Sequence, residues 1–260
     1  MRSWRSLRGM SQLDLALRAG FSARHLSFIE TGRSQPSSHT VLTLAEALDV
    51  PLRERNRLLI AAGYAQQYRH TPLSAEEMRR VRDVLGFILE RHSPYAAVVL
   101  DRYSNCLMHN APYAQLRAVL ADASLIGENA NHLRVVFHPL GARRFITNWE
   151  QLAVRIFGRV ARELGMAKDD QQATALVAEL RGYLDDTVIL HPAPNVDPHD
   201  VLLPIHIRIG ASEVRLFSTI MTLGTPHDVT LQELRIETFF PADQASERAW
   251  QALLSPGGAS

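Results

Sequence analysis

The stretch Ser11 to Gly32, SQLDLALRAGFSARHLSFIETG, constrains the chain more than any other, because its signals divide it into two short helices and a tight turn. Ser11 and Asp14 form an S-x-x-D capping arrangement, with Met10 and Leu15 in the staple positions on either side of the cap. Gly20 ends that helix, and Ser22 supplies a second N-cap flanked by Phe21 and Leu26. Helices joined so closely cannot lie side by side and must cross steeply, as in a helix-turn-helix. On the second helix Leu26 and Ile29 face inward, leaving Ala23, Arg24, Ser27 and Thr31 outside, beside the capping Ser22. A small residue, an arginine and hydroxyls suit the major groove, and Ala23 and Arg24 occupy the N-terminal end, where reading helices touch bases. An exposed arginine by itself is ordinary; the agreement of cap, turn, length and outer face carries the DNA-binding expectation.

Residues 2 to 64 resemble the five-helix DNA-binding domain of the phage-repressor-like (XRE) family, with SQLDLALRAGFSARHLSFIETGRSQPS as the diagnostic stretch. The resemblance implies that Gln12 binds phosphate and supports the reading helix, with Ser22, Ala23, Arg24, Ser27, Thr31 and Arg33 around it at the DNA face. That family often has Gln at the first reading position, where this chain has Ala23, so base preference does not transfer. The resemblance also implies a pairing of Arg5 with the Glu30 of the E-x-G ending. Electrostatics agrees, since a carboxylate on a DNA-facing helix would repel phosphate and Glu30 is better turned inward.

At 260 residues the chain has room for about two domains. Its net charge of +1 conceals an asymmetry: up to Arg69 there are ten arginines and five acids, and the remainder is slightly acidic. A basic head on a body that need not touch phosphate is the pattern of a DNA-binding module with a second function attached. Apolar runs fall short of the ~20 residues that span a bilayer, and the N-terminus lacks the apolar core of a signal peptide. A cytoplasmic location without membrane contact is expected. Cys106 is the single cysteine, which excludes an internal disulfide and a multi-cysteine zinc site.

The expected division is a helix-turn-helix domain over 1–65, a linker over 66–73 marked by Pro72, and a second domain over 74–260. Pro36 and Ser37 open a fourth helix, Val41 to Leu48, and Pro51 a fifth, which stops at Gly63. In the second domain Ser74 and Glu77 cap a helix carrying Val81, Leu85 and Ile88, which faces either the core or a dimer seam. Two strands follow, Ala96 to Asp101 and Cys106 to Asn110, then a helix from Ala111 to Leu120. Gly141 to Leu184 reads as helical, divided at Gly165. Three strands close the chain, Leu203 to Ile209, Glu213 to Thr222 and Leu231 to Phe240, with Gly210 and Ala211 forcing a hairpin. The fold class is therefore an all-α five-helix domain followed by an α+β domain with an antiparallel sheet of about five strands.

From Tyr95 to about Arg248 the order resembles the PAS-like ligand-binding domain of MmyB-type regulators, carried by PYAAVVLDRYSNCLMHN, FHPLGARRFITNW and LFSTIMTLGTPHDVTLQELRIETFFPAD. The resemblance implies a bound fatty acid or similar apolar molecule and no required cofactor. Strand alternation puts Ile207, Leu216, Ser218, Ile220, Ile236 and Thr238 on the inward face, opposite the helix of Trp149. Arg143 and Arg144, just before that helix, are the candidates for an acidic head group.

Two other functions remain open. His191, Asp197, His199 and Asp200 have metal-ligand chemistry, but their loop lacks the i, i+4 spacing of H-E-x-x-H, and Pro and Asp explain it as a turn. No phosphate loop, dinucleotide fingerprint or nucleophile elbow is present, and Cys106 and His109 fall on opposite strand faces. A second domain that grips another protein is the remaining alternative. The expected partners are double-stranded DNA, a small apolar ligand and a second copy of the chain, because one small reading head gives little specificity and two half-sites about 34 Å apart would supply it.

Arg24→Ala is expected to weaken specific DNA binding by about 1 to 3 kcal/mol, the value of a good base contact. Electrophoretic titration on specific and random duplexes checks this; equal loss on both would make Arg24 a phosphate contact instead.

Overall fold

The structure is a computed structural model and describes residues 1–127, 130–165, 170–184 and 204–254. Two compact units emerge, one of residues 1–78 with 223–233, the other of 79–222 with 234–260.

The first unit contains five helices, α1 Arg2–Leu7, α2 Gln12–Ala19, α3 Ala23–Glu30, α4 Ser38–Ala47 and α5 Leu52–Ala61. Their starts are set by side-chain caps: Ser11 in a complete capping box with Asp14, Ser22 accepting from the His25 N–H, and Ser37 accepting from that of Thr40. Gly20, at φ 74°, makes the left-handed turn between α2 and α3 that a side chain would strain. Leu15, Leu26, Leu44 and Leu48 close the core with no exposed surface.

Residues 66–73, expected as a linker, are held within this unit. Asn56 is buried; its Oδ1 accepts from the Gln67 and Tyr68 N–H groups and its Nδ2 donates to the Tyr68 carbonyl. A further helix, α11 Val229–Glu233, also belongs here, where Leu231 to Leu234 had been read as strand. Gln232 accepts from the Leu52 N–H at 2.6 Å, and Arg53 donates to both Glu233 oxygens at 2.7 Å. These side chains anchor the segment at the N-terminus of α5.

The second unit is built on a five-stranded antiparallel sheet in the order β2-β1-β5-β4-β3, from β1 Ala97–Leu100, β2 Cys106–His109, β3 Ile205–Ile209, β4 Ser212–Met221 and β5 Arg235–Pro241. Its helices are α6 Arg79–Arg91, α7 Ala111–Leu120, α8 His132–Phe137, α9 Trp149–Gly165, α10 Gln171–Gly182 and α12 Gln244–Leu254. On α6, Leu85 and Leu89 are buried while Val84 and Phe87 are exposed, so the core holds one apolar side of this helix and leaves another open. The terminal helix α12 was not expected, yet its signal is present in Asp243, which caps it, and in Trp250, which is buried and donates Nε1–H to the Pro94 carbonyl. One core cluster joins sheet, α7 and α12; a second joins α8, α9 and α10. Among the described residues no helix is long and apolar enough to cross a membrane.

Asn110 ties several of these pieces together. Its buried side chain accepts from the Ala97 and Tyr113 N–H groups, capping α7, and donates to the carbonyls of Leu89 and Tyr95. Asn110→Ala removes all of these partners at once and should destabilise the second unit by about 3 kcal/mol or more, read as a fall in its urea midpoint with an unchanged slope.

Candidate functional site

In the first unit, Ser22, Arg24, Thr31 and Arg33 are exposed along α3 and the turn after it, with Ala23, Ser27 and Gln12 partly exposed beside them. The Arg24 guanidinium lies 5.4 Å from the centroid of the Phe28 ring, one turn along the same helix. The Thr31 hydroxyl donates to the Ser27 carbonyl at 2.8 Å, which leaves its oxygen as an acceptor.

Beneath this surface Glu30 is turned inward, with 2% of its side chain exposed. Arg5 donates to it through two parallel hydrogen bonds, Nε to Oε1 at 2.9 Å and Nη2 to Oε2 at 2.8 Å, and through Nη1 to the Met10 carbonyl. Gln12 adds Nε2 to Oε2 at 2.8 Å, so helices α1, α2 and α3 meet on one carboxylate. The Arg5 hydrogen bonds hold the Glu30 carboxyl below its ordinary range, against the opposing effect of burial.

In the second unit a cavity of about 130 Å³ lies between the sheet and α7, α8 and α9. Ile205, Ile207, Leu216 and Phe239 form its sheet wall, and Leu116, Leu152 and Ile156 face them from the helices. Glu237, His132, Tyr113, Arg117, Arg159 and Ser218 supply polar groups to the same space. The Tyr113 hydroxyl and His132 Nδ1 share a hydrogen bond of 2.8 Å, and His132 Nε2 is 3.7 Å from the Glu237 carboxylate. Burial lowers the His132 pKa, Glu237 opposes that shift and Arg159 adds to it, so the ring is neutral at pH 7.

Of the residues expected at this site, Ile207, Leu216 and Ser218 line the cavity. Ile220 lies farther along the same face of β4, in a smaller recess with Arg159 and Glu237. Ile236 and Thr238 are on the other face, paired across the ladder with Met221 and Thr219, and Thr238 bonds the Thr219 hydroxyl at 2.6 Å. Both faces of β5 are buried, so apolar alternation could not tell them apart; the cavity face is the one that carries Glu237 and Phe239. Trp149 packs between the two core clusters, its ring 5.1 Å from that of Phe137. Arg143 donates to the Tyr183 carbonyl and stacks on Trp149, while Arg144 donates to the Gly141 carbonyl, so neither lines the cavity. Arg117 and Arg159 are its arginines, and they went unnoticed because each sits in an ordinary amphipathic helix.

The loop holding His191, Asp197, His199 and Asp200 lies outside the described residues. Among the described residues no group of His, Cys, Asp and Glu is arranged to hold a metal. Cys106 is buried, which pushes its thiol pKa up and away from nucleophilic use.

Residues 81–253 match the family model described as the MmyB-like transcription regulator ligand binding domain, and residues 1–55 match a helix-turn-helix family model. No curated protein matches the chain.

Breaking the Glu30 bridge by Arg5→Ala should cost about 3 kcal/mol, the low end for a buried pair, because Gln12 still donates to the carboxylate. Glu30 has a depressed folded pKa, so its contribution is complete above its unfolded value and is lost as pH falls through the folded one. The stability difference between wild type and Glu30→Gln should therefore be constant near neutrality and shrink below about pH 4.3, measured by chemical denaturation at several pH values.

Proposed function

The chain belongs to the transcription regulators with an MmyB-like ligand-binding domain, and on that premise we propose that it binds operator DNA through α3 and adjusts that binding to a small, largely apolar acid held in the second unit. The supporting observation is the cavity itself, a mostly apolar space bordered by Arg117 and Arg159. An apolar chain would lie against Ile205, Ile207 and Leu152, and a carboxylate would meet the guanidinium groups. A fatty acid has this chemistry. The volume of about 130 Å³ favours short members of the class, since a cavity of roughly 150 Å³ holds benzene.

At the head, Arg24 and Ala23 are proposed to read base edges, with Ser22, Ser27, Thr31 and Arg33 on bases or phosphate. Gln12 serves twice: one amide hydrogen supports Glu30 and the other is free for a phosphate oxygen. Two copies of the chain acting in the cytoplasm would place two heads on half-sites about 34 Å apart.

Communication would run through the chain between β4 and β5. Those strands carry Leu216, Ser218, Glu237 and Phe239 on the cavity wall, and the residues joining them, 223–233, fold with the first unit. A ligand that favours one arrangement of the two strands biases the anchored segment, by no more than its difference in affinity for the two states. Neither matched region is of an enzymatic type, so the reading assigns no catalysis to the chain.

The test selects an operator from random duplexes and titrates it with protein in the presence and absence of saturating fatty acids of increasing chain length. A shift in DNA affinity of about five-fold or more is expected, the lower end of ordinary allosteric coupling. Unchanged DNA affinity with ligand saturation demonstrated by calorimetry would reject the sensor mechanism.

A further inference from the structure

The cavity has a feature that a simple acid leaves unanswered, and the inference drawn from it rests on this cavity being the ligand site. Glu237 is 8% exposed and lines the cavity, and its carboxylate makes no hydrogen bond to the described residues. Its Oε2 lies 3.7 Å from His132 Nε2, on a ring that burial keeps neutral at pH 7. The carboxylate borders the cavity with its acceptor positions open, and a donor on a ligand would answer them.

Two cations share the same space. The Arg159 guanidinium has no hydrogen bond or ion pair among the described residues, and the Arg117 guanidinium donates to the His109 ring at 3.0 Å. Neither forms an ion pair with Glu237. The cavity thus presents an acceptor and two donors, all charged, with an apolar wall between sheet and helices. A fatty acid satisfies the arginines and abandons Glu237. An amine does the reverse.

Size narrows the class further. In about 130 Å³ both charged groups of a ligand must sit on neighbouring atoms if any room is to remain for an apolar part. We propose that the cavity binds an apolar α-amino acid, with its carboxylate toward Arg159 and Arg117, its ammonium toward Glu237, and its side chain against Leu152, Ile156 and Ile207.

The experiment is calorimetry and thermal shift on the full chain at pH 7 with two matched pairs: L-leucine and isocaproate, L-phenylalanine and hydrocinnamate. Each second member lacks only the amino group. At least one amino acid should bind, and its partner should bind about tenfold more weakly or worse, because a site built around a ligand N–H rejects the analogue without it. Glu237→Gln should reduce that ratio, and Arg159→Ala should weaken both members of the pair; melting of the unliganded variants reports whether each is folded, and the wild-type ratio stands without them. Equal or tighter binding of the des-amino acids would overturn the inference and leave the acid-binding site intact. No saturable binding by any of the four compounds would overturn the site reading and the inference with it.

Discussion

The pairing of β4 with β5 is the constraint on which the working parts of this protein depend. Its ladder sets Leu216 opposite Pro241, Ser218 opposite Phe239 and Ile220 opposite Glu237, which puts Leu216, Ser218, Glu237 and Phe239 on one wall. A slip of one residue on β5 would send Glu237 to the far face and bring Thr238 into the cavity, because side chains alternate strictly along a strand. The same pairing fixes where the connecting residues leave and re-enter the sheet. Those residues fold with the first unit, where Gln232 and Glu233 bond the N-terminus of α5.

The two units manage buried charge in opposite ways. Around Glu30 both carboxylate oxygens are answered by Arg5 and Gln12, and the result is a junction of three short helices. That junction fixes the geometry in which α3 presents Arg24 and its neighbours. In the cavity the charges are left open: Glu237 faces a neutral His132, and Arg159 has no partner among the described residues. Satisfied charge holds a structure in place, whereas open charge beside empty space is available to a ligand.

Much of this was legible in the residues. The caps at Ser11, Ser22 and Ser37 and the turn at Gly20 are local, as they depend on backbone hydrogen bonds within four residues, and their helices begin where expected. The inward turn of Glu30 was legible because a carboxylate at a DNA surface has an evident electrostatic cost. Less local features escaped. Leu231 to Glu233 precede the alternation that begins at Leu234 and were expected to continue it as strand, but they are helix formers, and Gln232 and Glu233 bond α5 from a helix. Asn56 likewise converts an apparent linker into packed structure by bonding the backbone of Gln67 and Tyr68.

What the sequence by itself determined is the capped helix pair with its arginine-bearing outer face, the antiparallel sheet and the inward turn of Glu30, which follow from short-range periodicity, capping and the cost of misplaced charge; the partner Arg5 was implied by the family resemblance. Only the tertiary structure decided which face of β5 meets the cavity, since both faces are buried and alternation is then silent. It also decided which arginines line the cavity. Arg143 and Arg144 look available in the chain but are spent on the Tyr183 and Gly141 carbonyls, while Arg117 and Arg159 reach the cavity because α7 and α9 pack against the sheet with those sides inward. A side chain's partners come from elements distant in sequence, and no local pattern encodes where those elements will lie.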